Sequence, residues 1–384
     1  MKISKIEVYL ARIPFRSPFR FADTLLPEMD TVIVRVDDLE GRSGWGEVFP
    51  GNQPILTSAW SSGVFHALKD CIIPFLGTNI SIDSGDNLTE QLQKICGNQC
   101  AKGVLDMAFW DLHSKRLGKP LHEAIGGIRK EIELGLVFDR YEDINPFMDD
   151  LKQALSEGYK RITLKIRPGW ELSMLRIVRA ELPTVMLQCD LEGALSMEKH
   201  TEILYRFDDF YPSLLEQPLS TSECVGHAML QEGMRTRIGL DESITTLHQA
   251  QIAADLQSDT KPFTFCLKPG NVGGLTEAMR IHGVCAASGI ACYSGCECVT
   301  SIGYRFTAAL ASLSNFTLPA DYFRTEEVLS VDPGVPLVTE LAEDGGNKQR
   351  RVCQLWTEPG IGFEPDREWI EKQAVMRFSY ASES

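Results

Sequence analysis

The sequence predicts an α/β fold: an eight-unit (β/α)8-type TIM barrel preceded by a smaller α+β domain. Three observations predict it. From residue 130 onward, short β-branched or apolar runs alternate with longer amphipathic stretches. Eight such runs can be counted, which favours a closed ring over an open doubly wound sheet. Charged residues recur where the runs stop, at Lys165, Asp190, Glu216, Asp241 and Lys268, with successive spacings of 25, 26, 25 and 27 residues. That interval is the length of one strand, one helix and two loops.

Length and composition agree with two folded units. The chain has 384 residues, and domains run to roughly 100–200 residues each. Hydrophobic residues make up 43% and charged residues 24%, enough for a large core without disulfides. A net charge of -15 repels phosphate backbones and anionic lipid, so nucleic acid and membrane surfaces are not expected partners. The 11 cysteines are irregularly spaced, as in a reducing cytoplasm. The close pairs Cys96/Cys100 and Cys296/Cys298 lack the spacing of a structural zinc site. The first fifteen residues alternate apolar and charged, which reads as a strand and not a signal peptide, and no apolar run reaches the ~18 residues of a membrane span.

Residues 1–127 form the expected α+β domain. Alternation over Ile3 to Ile13 and Thr31 to Val36, followed by Gly44-Trp45-Gly46-Glu47, predicts a small antiparallel meander. Helical spacing then takes over at Val104, Leu105, Ala108, Phe109 and Leu112, and Gly126-Gly127 ends the unit.

Residues 128–330 form the barrel. Its strands are predicted at Ile132 to Phe138, Ile162 to Ile166, Val185 to Cys189, Leu214 to Glu216, Ile238 to Asp241, Phe263 to Lys268, Ile290 to Tyr293 and Phe316 to Leu318. Intervening stretches such as 145–157, 172–182 and 275–287 are long enough for outer helices. After residue 330 the alternation stops, and the segment 331–384 is expected to pack back on the first domain.

Barrel strands deliver their C-terminal ends to one mouth, so the five charged residues would meet there. Buried charges cost several kcal/mol each unless paired or metal-bound. Any single carboxylate could form a structural ion pair with Lys165 or Lys268, but five at one period ask for a common purpose. Asp190, Glu216 and Asp241 make an all-oxygen donor set, which suits Mg²⁺, with Mn²⁺ as the alternative. The two lysines flank that set. A nearby cation would lower a lysine pKa toward the range of a working base and would offset the charge formed beside a substrate carboxylate.

Longer segments carry a resemblance. They are 164–170 (LKIRPGW), 215–219 (LEQPL), 240–244 (LDESI), 267–274 (LKPGNVGG) and 311–319 (ASLSNFTLP). In these the chain resembles the enolase superfamily, in its muconate-lactonizing subgroup, and is most similar to the o-succinylbenzoate synthases and N-acylamino acid racemases. The resemblance implies a modified (β/α)7β barrel with an N-terminal capping domain. It implies Mg²⁺ held by Asp190, Glu216 and Asp241, a small-molecule carboxylate substrate, an enolate intermediate, and Lys165 and Lys268 as the acid–base pair. The first activity it suggests is the synthase dehydration of menaquinone biosynthesis, with N-acylamino acid racemisation or muconate-type cycloisomerisation as alternatives, in an even-numbered homo-oligomer. A barrel that keeps its metal without turnover is an alternative of another class.

The chain departs from that pattern at three places. Thr163 replaces the first lysine of the usual Lys-x-Lys. Glu192 replaces an asparagine beside the first ligand, and the loop beginning Ser294-Gly295-Cys296-Glu297 is one residue longer than usual and would shape the substrate end of the pocket. From the capping domain, Arg20 and Phe21 on the first loop (18–23) are candidate substrate contacts, and 49–52 would be the second loop. None of the seven histidines falls at a predicted strand end, and they are expected as surface or capping residues. That argues against a histidine base.

Overall fold

Alternating apolar residues at the N-terminus bury one face of a four-stranded antiparallel sheet. Its strands are β1 (Ile3–Phe21), β2 (Thr24–Asp38) and β3 (Ser43–Val48), with a fourth from the far end of the chain. The computed structural model describes all residues except 23, 78, 79, 140, 142, 167, 168, 170, 259, 296, 344–348 and 382–384.

β1 and β2 run further than the alternation predicts. Beyond Ile13 they continue as a two-stranded ribbon, with Phe19 opposite Leu26 and Phe21 opposite Thr24. Pro14 and Pro18 disturb the sequence pattern there, and the register slips between Pro14 and Phe19. The helix Gln99–Leu117 lies directly on β3. A Cβ on Gly44 would come 2.2 Å from the carbonyl oxygen of Ala108, and one on Gly46 would come 2.3 Å from that of Val104. The two glycines around Trp45 are what let helix and strand touch.

The barrel consists of β4 (Glu131–Phe138), β5 (Arg161–Lys165), β6 (Met186–Asp190), β7 (Leu214–Glu216), β8 (Ile238–Leu240), β9 (Thr264–Leu267), β10 (Ala291–Ser294) and β11 (Ala320–Tyr322). Neighbours pair in parallel from β4 through β10, and β11 pairs with β4. Each of the first seven strands is followed by an outer helix, and β11 by a single turn, which is the (β/α)7β arrangement.

The eighth strand is displaced from the predicted Phe316 to Leu318. That segment is extended and bridges Cys292 of β10, closing one side of the ring. Pro319 then interrupts it, and Ala320–Tyr322 closes the other side against Leu134–Leu136. Beyond residue 330 the chain divides its contacts. β12 (Thr339–Glu343) and β13 (Gln349–Gln354) form a hairpin that joins the β4 end at Glu131–Glu133, while β14 (Ala374–Ala381) lies antiparallel to β1.

Buried acids tie the first sheet and its helix to the rest. Glu47, at the end of β3, accepts hydrogen bonds from the backbone N–H groups of Thr300 (3.0 Å) and Gly303 (2.9 Å) and from the Thr31 hydroxyl (2.9 Å). It thereby caps the barrel helix Ser301–Ala311 with negative charge at its N-terminus. Asp106, on the helix Gln99–Leu117, accepts from the hydroxyl (2.6 Å) and the N–H (3.1 Å) of Thr276. Among the described residues no helix is long and apolar enough to cross a membrane.

Candidate active site

β5 ends on Lys165, β6 on Asp190 and β7 on Glu216, and the register sets Lys165 beside Asp190 and Asp190 beside Glu216. Asp241 directly follows β8, and Lys268 directly follows β9. Glu216 pairs with Gly239, and Leu240 with Phe265, so Asp241 stands two residues nearer the mouth than Glu216 and is level with Cys266. Period-two alternation turns Glu216, Asp241, Cys266 and Lys268 to the same inner side.

These groups meet at a cavity of about 340 Å³. Its floor includes Lys165, Asp190, Asp241, Glu242 and Lys268, with Glu216 below them. Its outer wall comes from the first domain, where Arg20 and Phe21 at the ribbon tip face Phe49 and Pro50. Phe21 and Phe49 meet edge to face at 5.4 Å, and Arg20 approaches Asp139 at 3.6 Å. Gly51 and Asn52 do not line the cavity. The Asn52 side chain instead braces the ribbon, accepting from the Asp30 N–H and donating to the Glu28 carbonyl.

The loop after β10 is split. Glu297 and Cys298 line the cavity. Ser294 does not: strand alternation turns it outward, and its hydroxyl donates to the Thr307 carbonyl at 3.1 Å. Gly295 does not line it either, and it packs behind Lys268, where a Cβ would lie 2.6 Å from Cε of that lysine. Cys296 lies outside the described residues.

The electrostatics are those of crowded, buried charge. Asp190, Glu216 and Asp241 are 7%, 2% and 6% exposed. Burial and the neighbouring carboxylates push Asp190 up to about 6 and Glu216 well above the usual carboxylate range. Burial works against the charge on both lysines. It is outweighed by Glu192 and Asp190 at Lys165 and by Asp241 at Lys268, so both pKa values are raised. Lys165 donates a hydrogen bond to Glu192 and lies 3.9 Å from Asp190, and Lys268 donates to Asp241.

Thr163 sits below Lys165, 2% exposed, and no lysine accompanies it. The positive charge at this depth is Arg161, which donates to Asp321, to Gln188 (2.7 Å) and to the Thr163 hydroxyl (3.3 Å) and lies over the Tyr293 ring at 4.9 Å. Gln188 in turn donates to Glu216. Gln217 braces the next position: its amide oxygen accepts from the N–H groups of Asp241 (3.0 Å) and Ser243 (3.2 Å), and its backbone is held at a φ of 36°.

A divalent cation fits this donor set. The acids outnumber the two lysines, and the Glu242 Oε2 atom beside Asp241 is buried with no hydrogen-bond partner among the described residues. Among the described residues, potential ligand atoms of Glu216, Asp241 and Cys266 lie within 4.8 Å of one another. Asp190 stands outside that group, one strand away, where Lys165 and the Glu192 N–H engage it.

Several cavity residues lie beyond the sequence reading. Glu242 and Asn271 belong to the quoted segments, adjoining Asp241 and three residues past Lys268. Tyr322, Phe323 and Arg324 follow from the displaced eighth strand. No histidine lines the cavity, but His122 and His227 are buried rather than at the surface. The His227 ring accepts from the N–H of Leu219, in the segment just after β7, at 3.3 Å, and burial lowers its pKa to about 4.

Known proteins share this architecture. Residues 5–126 match the mandelate racemase / muconate lactonizing enzyme N-terminal domain, and residues 147–369 match the enolase C-terminal domain-like family. An o-succinylbenzoate synthase of Geobacillus kaustophilus is 33% identical over 365 residues, covering 94% of this chain and 93% of the relative. An N-succinylamino acid racemase of an Amycolatopsis species is 33% identical over 378 residues, covering 98% and 99%. A solved member of the enolase superfamily from Listeria innocua superposes with a TM-score of 0.89 at 25% identity, covering 99% of each chain. With both domains matched and the two lysines facing one acid-lined cavity, the chain belongs to the enolase superfamily, as an enzyme of its muconate-lactonizing subgroup.

Proposed function

We propose that this enzyme removes the proton next to a substrate carboxylate, with Lys165 and Lys268 as its acid–base groups, and that its first activity is dehydration of the o-succinylbenzoate synthase type. The observation that carries the reading is the placement of both lysines on one cavity floor, with buried carboxylates between them.

Asp190, Glu216 and Asp241 would hold Mg²⁺, or Mn²⁺ in its place. That cation would bind the substrate carboxylate and offset the second negative charge that develops on it. Lys165, as the free amine, takes the α-proton, and the electron pair of the broken C–H bond moves into the carboxylate as an enolate. Collapse of the enolate expels the β-hydroxyl, which leaves as water with the proton returned from Lys165. Lys268 stays protonated and stabilises the enolate by its charge. The ribbon tip and Phe49 exclude water from the floor.

A second reading is racemisation of an N-acylamino acid, because two lysines on one cavity allow a proton to leave one face and return to the other. The names of the relatives support both reactions. Muconate-type cycloisomerisation follows behind these two.

The test is turnover of the synthase substrate, alongside deuterium exchange from solvent into an N-succinyl amino acid. Lys165→Ala should lower synthase turnover by about 10²–10⁴-fold. Racemisation requires exchange that depends on both lysines, and its absence would leave the dehydration alone. No turnover of either substrate in the presence of Mg²⁺ would overturn the proposal.

A further inference from the structure

We propose that Cys266 is a metal ligand, and that its thiol and the carboxylates of Glu216 and Asp241 form a mixed sulfur–oxygen site for a thiophilic divalent cation such as Zn²⁺, Co²⁺ or Cd²⁺. The site goes beyond the all-oxygen reading and rests on it only for the two carboxylates it shares.

Three independent features converge on the thiol. The strand register places Cys266 level with Asp241, and alternation turns it to the inner side with Lys268. Its sulfur lies within 4.8 Å of carboxylate oxygens of both Glu216 and Asp241. The residue is 1% exposed, and among the described residues its thiol makes no hydrogen bond, although it adjoins two hydrogen-bond acceptors. Gly295 leaves the room it occupies, since a Cβ at that position would come 2.3 Å from the sulfur.

The competing role for Cys266 is that of a small apolar filler against Leu214 and Tyr293. A filler needs no donor atom, and an alanine would avoid placing a thiol beside two acids. Coordination uses what packing leaves idle. The S–H bond breaks, its proton passes to solvent, and the sulfur lone pair bonds the cation, with no change of oxidation state.

The choice of metal follows from the donors. Three oxygens on β6, β7 and the end of β8 suit a hard cation, whereas exchanging Asp190 for a thiolate moves the preference to Zn²⁺, Co²⁺ and Cd²⁺. The two sets share Glu216 and Asp241, so they exclude one another. Occupancy of the sulfur set brings the cation one strand closer to β9, the strand that leads into Lys268.

The experiment is titration of the full-length, metal-stripped protein with Co²⁺ alone, reading the near-ultraviolet sulfur-to-cobalt charge-transfer band and, separately, bound metal by equilibrium dialysis. The band should appear at one equivalent and vanish in Cys266→Ser, with Co²⁺ affinity reduced at least roughly tenfold and Mg²⁺ affinity unchanged. Cobalt bound without the band, or a band that survives in Cys266→Ser, overturns the sulfur ligand and leaves the carboxylate site standing. No bound cobalt overturns the sulfur site, and dialysis with Mg²⁺ then decides separately whether the carboxylate set holds a cation. Cadmium NMR of the unsubstituted protein serves if the variant fails to fold: a sulfur-shifted resonance supports the ligand, and an all-oxygen resonance overturns it.

Discussion

Lys165 donates a hydrogen bond to the carboxylate of Glu192, a residue held at a φ of 47° whose own N–H donates to Asp190 at 3.0 Å. A cation and an acid that share a buried floor are thus joined through one strained residue. The pair favours the protonated lysine, the opposite of what a base requires. Glu192→Asn should therefore lower the Lys165 pKa and move the ascending limb of the kcat–pH profile down by roughly 1–3 units. Asparagine also tolerates the left-handed backbone, so the fold should survive. An unmoved limb would show that Glu192 does not govern this lysine.

Arg161 and Asp321 form a pair buried inside the barrel, 1% and 4% exposed. Removing one partner strands the other charge. Arg161→Leu should cost about 3–5 kcal/mol in urea unfolding, and Arg161→Leu with Asp321→Leu should recover a substantial part of that loss. Additive losses would mean that the two charges do not depend on each other.

Burial lifts the Glu297 carboxyl to about 7. The unfolded side chain gives up its proton near its ordinary value of 4.5, whereas the folded one keeps it to about 7. Across that window each rise in pH favours the unfolded chain, by up to about 1.4 kcal/mol per unit. Metal-free protein should lose thermal stability from pH 5 to pH 7, and Glu297→Gln should flatten that fall. Melting curves recorded in chelator read the difference directly.

Glu47 holds the N–H groups of Thr300 and Gly303. Glu47→Ala leaves these buried donors without their acceptor, at about 1–3 kcal/mol for each unsatisfied group. Because Glu297 and Cys298 line the cavity on the same loop that leads through Thr300 into the helix, KM should rise more than kcat falls. Equal KM values in the two proteins would confine Glu47 to the fold.

The barrel was legible because its strands are short apolar runs, five of which stop in turn at a charged residue, as at Leu164-Lys165 and Leu215-Glu216. The eighth was not. Phe316-Thr317-Leu318 reads as a strand, whereas Ala320-Asp321-Tyr322 carries an acid whose burial makes sense only once Arg161 stands opposite. The ribbon tip was hidden by Pro14 and Pro18, since proline erases the alternation without preventing a twisted two-stranded edge. Lys165, Asp190, Asp241 and Lys268 meet at the cavity as their spacing suggests, with Glu216 beneath. Ser294 turned away because direction alternates residue by residue, a detail that a run of apolar letters leaves open. Cys266 carried no signal at all: in sequence, a cysteine between Phe265 and Leu267 is one more apolar letter.

The bonds from Glu47 to the start of the helix Ser301–Ala311 and from Asp106 to Thr276 rivet the cap to the barrel at two points. A hinge that swung the whole cap aside would have to break both. The way into the cavity is therefore narrowed on the cap side by the slender tongue from Phe19 to Ala22, which projects over the opening from a frame fastened at both rivets.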